Sequence, residues 1–190
     1  QNFTTSTNTF NTAVGYFAGQ QVTTGTANTL IGGLAGDAQT DASNSTAVGY
    51  AALGANTTGS NNTAIGKEAL DANTEGSENV AVGVGALGAQ TTSTDNVAVG
   101  VNAGLSITTG IRNTILGRSA GDALTDADFN VALGYNTLGA DTLGSHNTAI
   151  GYAALFTQNF TTATDSFNTA VGSNAGLSVT TGVKNVLVGS

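Results

Sequence analysis

The sequence contains no cysteine, proline, methionine or tryptophan, and a single histidine. Without cysteine no disulfide framework can form. With no thiol and only His146 as an imidazole, nucleophile–base arrangements have almost no material. Charge is also scarce: 8% of residues are charged, against about 25% in an ordinary domain. The four cations, Lys67, Arg112, Arg118 and Lys184, cannot track a phosphate backbone, so no nucleic-acid partner is expected. The same shortage argues against an anionic membrane surface. The longest small-apolar stretch, Val80 to Ala89, is ten residues, too short to cross a bilayer, so no membrane insertion is expected in this segment. No leader peptide or initiator Met is visible. The chain opens and closes inside a repeat, and is therefore expected to be a fragment of a longer array.

What is present is glycine, 27 of 190 residues, with Ala, Val, Ile and Leu recurring throughout. That is not the composition of a disordered chain, and Gly does not return every third residue as in collagen. Instead a tetrad, mostly Thr/Val-Ala-Val/Ile-Gly, ends at Gly15, Gly32, Gly49, Gly66, Gly83, Gly100, Gly117, Gly134, Gly151, Gly172 and Gly189. Nine of the ten spacings are 17 residues and one, 151 to 172, is 21. The repeat spans residues 1–190, so the chain reads as one domain of about eleven coils without a linker.

Counting from each Gly gives columns of fixed chemistry. Four residues earlier stands Asn: Asn11, Asn28, Asn62, Asn79, Asn96, Asn113, Asn130, Asn147, Asn168 and Asn185, with Ser45 the exception. The preceding residue is always Val, Ile or Leu, and three before the Gly is Thr or Val. Three after it is Ala, except Thr137; four after it is Gly or Leu; eight after it is Thr, except Asn159.

Asn79-Val80-Ala81-Val82-Gly83 is short, β-branched and alternating, and reads as a strand of about five residues. Val80 and Val82 share one face and Ala81 takes the other; the valine face is expected to point inward, Val99 included. The Gly permits a tight turn, and polar stretches such as Thr108-Thr109-Gly110 bring the chain back. A chain that returns to the same point every 17 residues is an all-β parallel β-solenoid or β-roll, with like residues about 4.8 Å apart. Asn and Thr columns then become ladders between coils, and ten steps give a rod about 48 Å long. Gln1-Asn2-Phe3-Thr4-Thr5 returns as Gln158-Asn159-Phe160-Thr161-Thr162, at an offset of 157 residues, which points to duplication of a larger unit. Each coil offers few core side chains, so burial of a second face against neighbouring chains is expected, most simply in an intertwined or side-by-side homotrimer. A self-sufficient single-chain solenoid is the rival.

Asn-Thr-Ala-Val-Gly with Ala three residues later resembles the head repeat of trimeric autotransporter adhesins, whose signature reads Asn-Ser-Val-Ala-Ile-Gly. The resemblance covers nearly the whole chain. It implies a left-handed parallel β-roll, with three chains side by side in a collagen-binding or otherwise adhesive head. The repeat style is also similar to shafts of bacteriophage tail fibres. Here the coil is longer than the usual head repeat, and Thr often replaces Val.

Other patterns point to little chemistry. His146, in Gly-Ser-His-Asn, reads as a solvated loop residue. Gly83-Val84-Gly85-Ala86-Leu87-Gly88 matches a dinucleotide fingerprint in form, but no helical period follows it. Gly59 to Lys67 has the wrong spacing for a phosphate loop. Asp37 with Asp41, and Asp122 with Asp126 and Asp128, read as solvated turn carboxylates, since the repeat motif of Ca²⁺ solenoids is absent. The Thr column invites an ice-binding reading, but Thr-Thr pairs such as Thr23-Thr24 point to opposite sides. The position after the Gly varies most and holds Tyr16, Tyr50, Tyr135 and Tyr152, candidates for surface contact. In the lengthened coil Phe156, Phe160 and Phe167 are expected to bulge and cap an apolar pocket.

The expected function is therefore an extracellular fibre or adhesin segment on a cell surface or virion, without catalysis, cofactor or metal. Its partners would be its own copies and a host-surface protein or glycan. A bacteriophage tail-fibre shaft is the first alternative, and an ice- or surface-binding solenoid the second.

Overall fold

The computed structural model describes residues 8–190. The recurrence that begins at Gln1 lies partly outside the described residues. Eleven strands of three residues each, from Thr12–Val14 to Val186–Val188, form one parallel sheet in chain order. Their register follows the repeat: Ala64 pairs Ala81, Ala81 pairs Ala98, and across the long coil Ala149 pairs Ala170. The described residues contain no helix. The chain is a parallel β-solenoid of about ten turns, with a spacing of 17 residues in all but one.

The strands are shorter than expected because the backbone turns on both sides of them. In the coil around Gly66, Asn61, Glu68 and Leu70 have φ of 60°, 58° and 51°, and Gly66 itself 137°. Each of these left-handed residues bends the chain and ends regular pairing. The anchoring Gly is needed for a second reason. A Cβ on Gly66 would stand 2.5 Å from the carbonyl oxygen of Gly83 in the next coil. Backbone amides bond coil to coil around the whole section, not only in the strands. Leu70 N–H donates to Ala86 at 3.0 Å and Thr74 N–H to Thr91 at 2.8 Å.

The inward face of the strand is the opposite of the one expected. Ala47, Ala64, Ala81 and Ala98 in the strand centres are fully buried, as are Leu30 and Ile115 in the same column. Val99, by contrast, is 37% exposed, and Val14, Ile31, Ile65, Leu133 and Val171 in its column are also exposed. Hydrophobicity misled because the two larger side chains flank a small one. Most coils admit only Ala there, and the larger Leu30 and Ile115 fit because glycines face them, Gly19 and Gly36 in the first case and Gly104 and Gly121 in the second.

The core is completed by the Ala three after each Gly, by the residue four after it, and by the one seven after it. The last column is partly polar: Gln39, Asn56, Asn73, Gln90, Asp141 and Gln158 are all fully buried. Size is traded between these columns. Leu53, Leu70 and Leu87 are followed three residues on by Asn56, Asn73 and Gln90, whereas Gly104 and Gly121 are followed by Ile107 and Leu124. The space a side chain at Gly104 would fill is already taken. Its Cβ would lie 3.0 Å from Leu87 Cδ2 and 3.1 Å from Ile107 Cδ1. The interior is thus kept near constant volume, as close packing requires.

Candidate functional site

The Asn column holds the coils in line. Asn113 donates its backbone N–H to Asn96 Oδ1 at 2.9 Å, and its Nδ2 to the carbonyl of Ala127 at 2.8 Å. The first bond ties it to the preceding coil, and the second closes the turn of its own. Side-chain amides also bond copy to copy, as Asn130 Nδ2 does to Asn113 Oδ1 at 3.2 Å. Ser45 is too short for the turn-closing bond, and there Asn56 Nδ2 takes over, donating to Gly59 at 2.8 Å. The Thr column works differently from a hydroxyl-to-hydroxyl ladder. Thr57 and Thr74 donate to the backbone carbonyls of Thr74 and Thr91, at 3.0 and 3.2 Å.

The lengthened coil adds a second small sheet, in which Thr164–Asp165 pairs in parallel with Gly144–Ser145. Its anchor is Asp141, a fully buried carboxylate. That group accepts N–H bonds from Gly144 and Phe160, both at 3.1 Å, and from Gln158 Nε2 at 2.5 Å. Three donors compensate a charge that burial alone would penalise. The three phenylalanines do not share one pocket. Phe160 is buried beside Gly144, Phe156 lies over Gly139, and Phe167 is 48% exposed. Apolar rings therefore separate because the four extra residues bulge outward at Thr161, Thr162 and Ala163, which are exposed.

His146 is likewise not a free loop residue. Its ring stacks on Phe129 and lies tilted against Phe167, with centroids 4.9 Å away on each side, and Nδ1 lies 3.2 Å from an Asp165 oxygen. Arg112 caps the row, 5.5 Å from the Phe129 ring and 3.6 Å from Asp95. The four residues occupy one column, five before the Gly, and all have positive φ.

The tyrosines after the Gly are exposed, with Tyr16 at 71% and Tyr50 at 53%. Tyr135 and Tyr152 stack at 5.7 Å with planes 7° apart. Gly83 and Gly85 lie in coil turns with no helix after them, so the dinucleotide-like pattern has no phosphate-binding context. The turn carboxylates are engaged locally: Asp41 accepts from Thr24 at 2.7 Å and Asp128 from Ile111 N–H at 2.7 Å. Partial burial holds the carboxyls of Asp37, Asp71 and Asp122 above the ordinary range, and for Asp71 the charges of Glu68 and Asp37 add to it. Among the described residues no three His, Cys, Asp or Glu side chains cluster to hold a metal.

The largest feature is therefore a surface. The outer side of the sheet carries an unbroken column of Val, Ile and Leu, from Val14 to Val188. Beside it runs a Thr/Val column, and the aromatic row and the tyrosines flank the two edges. No family model, curated protein or solved structure matches this chain.

Proposed function

We propose that the chain is a segment of an extracellular fibre that assembles as a homotrimer and spaces or presents an adhesive surface. The observation that supports it is the outward Val/Ile/Leu column, which includes Val14 at 58% exposure and Leu133 at 41%. Monomeric soluble proteins rarely expose one continuous apolar patch beyond a few hundred Å². Here it recurs in every coil, which fits burial against like chains better than a local ligand site. The adhesin-like repeat motif points the same way. The role is mechanical and adhesive, with binding to a host-surface protein or glycan spread along the repeats. A phage-fibre shaft would use the same physics in a virion.

One observation favours the ice- or surface-binding reading. Thr46 and Val48 share the outer face with their copies at strand spacing, a regular array of hydroxyls and methyls. The Thr column eight after the Gly does not add to it, because its hydroxyls are engaged by carbonyls.

Light scattering of the segment separates the two. The fibre reading expects three times the chain mass of 18.6 kDa and adhesion to immobilised matrix protein or glycans. A stable monomer that slows ice growth would overturn it in favour of the second reading.

A further inference from the structure

The strand face is too narrow to hold such an assembly alone. Three residues across and ten coil steps along give about 480 Å², against about 800 Å² per partner in stable interfaces. The columns flanking the face must therefore take part.

Rotation about the rod axis without sliding keeps every residue at its own height, and brings one flank of a chain against the opposite flank of the next. One flank is the column five before the Gly, and the other is the column just after it. Phe129 and Tyr135 both belong to the coil of Gly134, and His146 and Tyr152 to that of Gly151. Rings thus stand at matching heights on both flanks, and each pair is already stacked within its own chain. Phe129 is 41% exposed and Tyr135 43%. Phe129 is also held at a φ of 55°, a conformation that bulky residues rarely adopt. Arg112 and Arg118 share a height as well, but Arg112 lies beside Asp95 and against the Phe129 ring, which offsets its charge.

We infer that the Phe129–His146 row of one copy packs in register on the Tyr135–Tyr152 pair of the next. This rests on the assembly reading above.

The chain has no cysteine, so paired substitutions report without background. Phe129→Cys combined with Tyr135→Cys should oxidise to a ring of three chains that survives a denaturing gel. Either substitution alone, or Phe129→Cys with Tyr50→Cys five coils away, should stay unlinked. A two-chain ring would keep the pairing and overturn the three-fold state. Trimers by light scattering that never cross-link through 129 and 135 would overturn the pairing and leave the assembly standing. A monomer by light scattering would remove both. Both positions are exposed, and an unchanged circular dichroism spectrum before oxidation confirms that the variants fold.

Discussion

The two faces of the one sheet are built on opposite rules. Inside, the strand centres are Ala in most coils, and from Leu30 to Ala170 they have no exposure at all; outside, the flanking Val, Ile and Leu are partly open to solvent. An ordinary domain places its larger apolar groups inside. Here the strand centre lies so close to the facing wall that in most coils a methyl group fills the gap, and the strand's own larger side chains face out. The fold of one chain and the burial of its apolar surface are thus separate problems.

Aspartate placed on each face in turn gives the largest expected effect. Ala98→Asp puts an unpaired charge in the interior and should cost more than about 4 kcal/mol, enough to prevent folding. Val99→Asp, one residue on, should leave the circular dichroism spectrum and the monomer's unfolding midpoint within about 0.5 kcal/mol of the parent, while abolishing assembly by light scattering. Equal loss of folding in both would erase the distinction between the faces.

A smaller effect tests whether interior volume is what selects the inner residues. Gly104→Leu forces a side chain against Leu87 and Ile107 and should destabilise by about 1–3 kcal/mol in denaturant unfolding. Adding Ile107→Asn recreates the Leu/Asn pairing of Leu70 and Asn73, and should recover a good part of the loss. If the second change only adds to the first, volume exchange between the columns is wrong.

The smallest effect concerns the polar outer wall. Asp71 takes up a proton more readily when folded, so the folded chain gains stability as pH falls through the carboxylate range and loses it as pH rises above. Asp71→Asn should therefore stabilise at pH 7, by about 0.5 kcal/mol or less, and flatten the pH dependence. Asp122→Asn should do less, because backbone and Ser119 hydrogen bonds offset the burial there. Unfolding midpoints at pH 7 and pH 4 would reveal either.

Much of this was legible from the spacing of Gly and Asn. That spacing carried the coil length, the parallel pairing and the position of the lengthened turn, because stacked identical coils must repeat in sequence. The direction of the strand was not legible. In three residues, Val-Ala-Val supplies an alternation but no sign, and bulk argues for the wrong one when the interior is thin. The buried Asn56, Asn73 and Gln90 were hidden because amides next to Thr read as turn residues. The aromatic row was hidden as well, since Phe129, His146 and Phe167 are 17 and 21 residues apart and meet only through stacking.

Each coil touches only the one before and the one after, so the rod has no long-range closure to break. Pulled from an end, it would peel one turn at a time, at a force set by a single ring of amide bonds. A solenoid of that kind would lengthen in small steps instead of snapping, and whole turns could be gained or lost over generations without disturbing the rest.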